Sequence, residues 1–207
     1  MRIIVLNPAA VVANVPLAVR LAETARGTIV DPCAALVSVA RVLCRAGVSR
    51  VWVGEAADDI FGGFDFARRY YRGVRLRAHF QRELAVGLPD EMAVLQKVFE
   101  PWGISVFDPY WTASLVRLGY NLPLIYRFGP DGSSKPVLRA AFADLLAPEV
   151  VRRPKRSMRD TTDIRYALEC HFGRSRYRYR PIFKSWFGRR APWRGRAFVL
   201  PRKSSRA

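Results

Sequence analysis

The chain has 207 residues, half of them hydrophobic and 12% aromatic, with a formal net charge of +18. Apolar content on that scale can bury a substantial core and excludes a disordered chain despite the charge. Three cysteines without a CxxC pair and two histidines without ligand spacing exclude a zinc module, and no uninterrupted apolar run reaches eighteen residues, so no membrane span is expected.

Ile3-Ile4-Val5-Leu6, ended by Asn7-Pro8, reads as a first strand, too short and too weakly charged for a secretory signal. Val15, Val19 and Ala22 have helical spacing, with Pro16 in the first turn and an end by Gly27. A second helix follows from an Asp31 cap and Pro32 at the first position; Leu36, Val39, Ala40 and Leu43 share one face before Gly47. Cys33 and Cys44 on that helix read as small buried hydrophobes in a reduced, cytoplasmic chain. Val51-Trp52-Val53 is the next strand. Strand, helix and strand predict a parallel α/β unit with a right-handed crossover. Further helices are expected over 66–80, 90–100, 112–119 and 135–146.

Ligands in such sheets bind beyond the carboxyl ends of the strands, and there lies Gly54-Glu55-Ala56-Ala57-Asp58-Asp59-Ile60-Phe61-Gly62-Gly63-Phe64. Its carboxylates suit metal–nucleotide binding or proton transfer. The plainer reading is an acidic helix start, with Asp58 and Asp59 favoured by the helix dipole and Glu55 a cap. Arg68, Arg69, Arg72, Arg75 and Arg77 read as a solvated or ion-paired helix face.

Charge divides the chain near residue 150. Residues 1–150 hold 17 Lys and Arg against 14 Asp and Glu, whereas 151–207 hold 18 against 3. The basic part interleaves arginine with aromatics, as in Arg174-Ser175-Arg176-Tyr177-Arg178-Tyr179-Arg180, Trp186-Phe187-Gly188-Arg189-Arg190 and Trp193-Arg194-Gly195-Arg196. Such a composition suits nucleic acid, through phosphate attraction and base stacking. The plainer reading is a basic extension lying over the core.

The string GEAADDIFGGF resembles the pyrophosphate-loop motif S-G-E-G-[AS]-D-E-[LV]-F-G-G-Y of asparagine synthetases. Lys135-Pro136-Val137-Leu138-Arg139 is similar to the K-x-x-L-R stretch of the same synthetase domain, and Pro148 to Lys155 to a helix end running from a proline to R-x-K. Pro109-Tyr110-Trp111-Thr112 stands where the family often has P-F-L-D. The resemblance covers about residues 30–160. It implies an α/β fold with a partial parallel-sheet nucleotide-hydrolase-like core, followed by a mainly helical C-terminal part. Residues 1–150 would be the partial adenylating domain and 151–207 its end plus the basic tail.

It further implies ATP-dependent amide formation, with aspartate the default substrate. A carboxylate attacks the α-phosphate, pyrophosphate leaves, and ammonia or an amine displaces AMP. Glu55 would manage protons, Lys135 would stabilise phosphate charge and Asp58 would hold Mg²⁺, with Gly54, Glu55, Asp58 and Lys135 forming the ATP site. Taken without the resemblance, Lys135 reads as a solvated lysine at a helix start.

The family's S-G-G-x-D-S loop and glutaminase domain are not found, so a chain incomplete at its N-terminus is expected, with a partner subunit supplying the nucleotide loop and ammonia. Val53, Ala56, Asp59 and Thr112 replace the family's usual serine, glycine, glutamate and aspartate. β-lactam synthetases and lasso-peptide cyclases are alternative amide-forming relatives, and a non-catalytic remnant with a nucleic-acid-binding tail is the alternative of another class.

Overall fold

The computed structural model describes residues 3–63, 65–158 and 162–188, with the side chains of 65 and 66 left aside. The stretch Arg189 to Ala207, including Trp193-Arg194-Gly195-Arg196, therefore lies outside the described residues. The described chain is mostly helical with a two-stranded parallel sheet, consistent with an α/β class. It groups into two units, one made of residues 3–53, 90–107 and 156–188 and the other of 54–89 and 108–155.

The first unit begins differently from expectation. Residues 3–6 form no strand, and Ile3 and Val5 are exposed. The first element is α1, Pro8–Ala13, started by Pro8 and by the Asn7 side chain, which accepts the Ala9 N–H at 2.9 Å. Helix α2, Val15–Ala22, has Pro16 in its first turn as expected and buries Val15, Ala18, Val19 and Ala22.

Helix α3 runs Gly27–Arg45, so Asp31 and Pro32 lie inside it rather than at its start. The helix starts five residues earlier than the cap signal suggests, at Gly27 rather than Pro32, and Asp31 has another use. Its fully buried carboxylate accepts hydrogen bonds from Arg178 Nη2 at 2.7 and 2.6 Å and from the Tyr179 hydroxyl at 2.7 Å. Cys33 is buried as expected, but Cys44 is exposed near the helix end. By length and composition α3 is apolar enough to cross a membrane, contrary to the expectation that no segment qualifies. Half of it is buried in the protein, where Val30, Ala34 and Val37 pack in the core.

Strand β1, Arg50–Trp52, pairs in parallel with β2, Ser105–Phe107, placing Val51 opposite Val106. The parallel partner is thus the later strand and not residues 3–6. The same unit takes in most of α7, Leu88–Phe99, then α12, Ile164–Phe172, and α13, Arg180–Phe187. Trp186 on α13 donates to the Pro16 carbonyl at 3.1 Å and lies 5.0 Å from the Arg20 guanidinium.

The second unit holds α4, Ala56–Phe61; α5, Asp65–Tyr70; α6, Gly73–Arg82; α8, Ala113–Asn121; α9, Leu124–Arg127; α10, Pro136–Ala141; and α11, Pro148–Arg152. The expected helix over 66–80 is broken between α5 and α6 at Tyr71-Arg72, and the one over 135–146 ends at Ala141. Ala67, Leu76, Phe80 and Phe128 form a core cluster, with Tyr71 and Leu124 against it.

Arg178→Ala would leave the Asp31 carboxylate buried without its cationic partner, a loss on the order of 3–5 kcal/mol. Urea denaturation is expected to show a fall of that size; a change under about 1 kcal/mol would mean that the pair is not held as described.

Candidate functional site

Every residue singled out for the site lies in the second unit. Strand β1 leads into Gly54 and Glu55, and β2 leads into Asp108. The buried Asp108 carboxylate ties these two segments: Oδ2 accepts the Ala56 N–H and Oδ1 the Tyr110 N–H, each at 2.8 Å. Ala56, where the family has glycine, is a buried helical residue, a position that tolerates a Cβ. Thr112, where the family usually has aspartate, caps the start of α8, its side chain accepting the Leu115 N–H at 3.4 Å.

Glu55 precedes α4 but its side chain makes no capping hydrogen bond. It reaches solvent, yet surrounding protein displaces much of its water. Burial pushes its carboxyl above the ordinary carboxylate value, the Asp58 and Asp108 charges push the same way, and Lys155 opposes them.

Asp58, one turn on, is mostly buried and meets two cations. Lys135 Nζ contacts Oδ1 and Lys155 Nζ contacts Oδ2. Lys135 is therefore not a solvated helix-start lysine; only 18% of its side chain is exposed. It adopts a left-handed backbone conformation, φ 57°, just before α10, and its N–H donates to the Arg127 carbonyl at 2.9 Å. A tight loop precedes it, with Phe128 bridged to Ser134 and the Ser133 N–H donating to Asp131 Oδ1 at 2.9 Å.

The paired glycines after α4 are sterically required. Gly62 has φ 83°, and a Cβ there would stand 2.8 Å from the Arg127 carbonyl oxygen. At Gly63 a Cβ would stand 2.7 Å from Asp58 Cβ and closer still to its carboxylate. Gly54 has more room, its nearest neighbour being the Tyr110 ring at 3.8 Å.

The acidic loop and Lys135 come together, and Lys155, the lysine of the R-x-K-like helix end, joins them at Asp58. Four contributors escaped the sequence reading as site residues: Asp108, Arg127, Arg139 and Lys155, the last two quoted only within family-like strings. The Arg127 guanidinium is fully buried and donates to the carbonyls of Asp59, Ile60 and Gly119. Burial lowers it to about 10, with the Asp59 charge opposing. The expectation of a metal held by Asp58 meets a poor fit. Both its oxygens already face ammonium groups, and among the described residues no group of three His, Cys, Asp or Glu could hold a metal ion.

His79 stacks on Tyr71 with ring centroids 5.0 Å apart, and His171 packs edge-on against Phe172. Neither belongs to this cluster. Arg68 lies 5.4 Å from the Phe128 ring, while Arg69, Arg72, Arg75 and Arg77 are exposed.

Residues 82–171 match the family model described as asparagine synthase. The match supports, over this stretch, a partial synthetase domain similar to that of the asparagine synthetase family, which is ATP-dependent and amide-forming. Asp108, Lys135, Arg139 and Lys155 lie inside the match, and Gly54 to Asp58 precede it. No curated protein matches the chain.

Two outcomes follow from this geometry. Gly63→Ala must displace the Asp58 side chain and is expected to cost about 1–3 kcal/mol in urea denaturation, while Gly54→Ala costs little; equal effects would refute the packing described. The second concerns pH. The folded Glu55 carboxyl keeps its proton above the ordinary value of 4.5, so its ionisation opposes folding as pH rises through the raised value. Glu55→Gln removes that cost. It is expected to raise the melting temperature at pH 7 by about 1–3 °C, with the gain vanishing where both folded and unfolded carboxyls are protonated. A gain that instead grows on acidification would contradict the raised value.

Proposed function

We propose that this site takes the phosphates of ATP in an amide-forming reaction, with aspartate as the default carboxylate and asparagine as product. The carrying observation is Asp58 held between Lys135 and Lys155, with Glu55 one turn away. The parallel β1–β2 pair is, on this reading, part of a nucleotide-hydrolase-like core. ATP as a substrate and three free cysteines suit a cytoplasmic setting.

The residues have separable tasks. Lys135 and Lys155 exchange the Asp58 carboxylate for phosphate oxygens and stabilise negative charge as the substrate carboxylate attacks the α-phosphorus and pyrophosphate departs. Glu55, its proton affinity raised by burial, accepts a proton from the amine nitrogen as that nitrogen attacks the acyl carbon and AMP leaves. The paired-lysine geometry supplies cation stabilisation from the protein itself, and Asp58 as placed does not add a resident Mg²⁺. A partner subunit supplies further nucleotide contacts and ammonia, so turnover belongs to the assembled enzyme and ATP binding can be read on this chain. Which amide-forming reaction is carried out depends on the carboxylate; a β-lactam or lasso-peptide ring closure uses the same residues on a different acyl group.

Calorimetric titration with ATP tests the reading. Binding by the wild type, weakened about tenfold or more by Lys135→Ala, is the expected result. ATP binding untouched by Lys135→Ala would overturn it.

A further inference from the structure

The two lysines at Asp58 come from separate segments, and one side chain spans both. Arg139, on α10, donates from Nε to the Ser134 carbonyl at 2.7 Å, directly before Lys135. Its Nη1 donates to the Val151 carbonyl, and Nη2 to the Arg153 carbonyl at 2.9 Å, two residues before Lys155. The planar guanidinium presents donors in fixed directions. Ser134 and the end of α11 are thereby held at one separation, and each leads directly to a lysine. The segment 153–155 has no helix or strand of its own to fix it. Pro154 adds a restricted φ but no N–H donor.

We propose that Arg139 is a positioning residue: it sets the spacing of Lys135 and Lys155 around Asp58, and so the fit of that pair to a polyphosphate. The inference rests on the ATP-site reading for its ligand and on geometry alone for the positioning itself. Arg139 touches neither Asp58 nor Glu55 in its described hydrogen bonds; it acts through the two backbones. A lysine in its place can reach one segment but not both, because an ammonium lacks the fork.

Lysine acylation on the full chain reads the positioning without any ligand. Acetylation with an N-hydroxysuccinimide ester, followed by peptide mass spectrometry, reports the reactivity of each amine. In Arg139→Ala the reactivity of Lys155 is expected to rise about 2–5-fold as its ion pair loosens, while Lys97, paired with Glu23 in the other unit, stays unchanged. Arg139→Lys, the gentler replacement should the alanine variant fold poorly, is expected to give an intermediate rise. Unchanged Lys155 reactivity in a folded Arg139 variant would overturn the proposal.

Inorganic pyrophosphate then reads the coupling. Arg139→Ala is expected to weaken its binding about tenfold in the wild-type background, but only about twofold in a Lys155→Ala background, because the effect passes through that lysine. Equal losses in both backgrounds would indicate a general structural role and refute positioning. Failure of the wild type to bind pyrophosphate would sink the ATP-site reading, leaving the acylation result to decide the role of Arg139.

Discussion

A single buried guanidinium holds the candidate site together. Arg127 donates to the carbonyls of Asp59 and Ile60, which end the short helix α4, and to Gly119 near the end of α8. Helix C-termini leave carbonyls unpaired and carry partial negative charge, so a cation there satisfies both needs. The same residue's own carbonyl receives the Lys135 N–H. Its side chain thus fixes the helix bearing Asp58, and its backbone fixes the lysine that pairs with Asp58. The cost is a charge kept from water, visible in its lowered proton affinity. Three carbonyl acceptors and the Phe80 ring, 4.3 Å from the guanidinium, offset that cost.

Around this anchor the site is electrostatically balanced rather than acidic. Asp58 alone with Glu55 and Asp108 would be a cluster of like charges in partly dehydrated surroundings, which is unfavourable unless a cation or proton intervenes. Two lysines supply the cations at Asp58. Asp108 is stabilised differently, by two backbone N–H groups. Glu55 has neither arrangement, and burial with its acidic neighbours raises its proton affinity. The three carboxylates therefore do different things because their partners differ, not because their chemistry does.

The glycines and carboxylates of residues 54–63, and Lys135, were legible in the sequence because they form compact strings, whereas Lys155 stood in such a string without a role. The Gly62–Gly63 requirement even shows in the structure as steric contact. What was not legible depends on distant pairing. Asp31 looks like a helix cap from its neighbours, since Pro32 follows it, but a partner 147 residues away makes it an interior residue of α3. Ile3 to Leu6 have strand composition and no strand, because the parallel partner of β1 comes from residues 105–107 instead. Asp108 and Arg127 carry no local signal, and Arg139 shows only as the end of the K-x-x-L-R-like string without its role: each acts on backbone groups, and backbone acceptors leave no trace in composition.

The same point changes the meaning of the basic C-terminal quarter. Read as a string, its arginines and aromatics resemble a free nucleic-acid arm. In the fold, Arg178 and Tyr179 are committed to Asp31, and Trp186 is committed to Pro16 and Arg20. Arginine is suited to such a place: Arg178 Nη2 alone donates to both oxygens of the buried Asp31 carboxylate. Exposed neighbours such as Arg174 keep their charge in water. Net charge therefore overstates what is available to an anionic partner: a segment can be rich in cations because the fold consumes some of them, and alternation of arginine with tyrosine is as well explained by one face docking inward as by two faces reading a ligand.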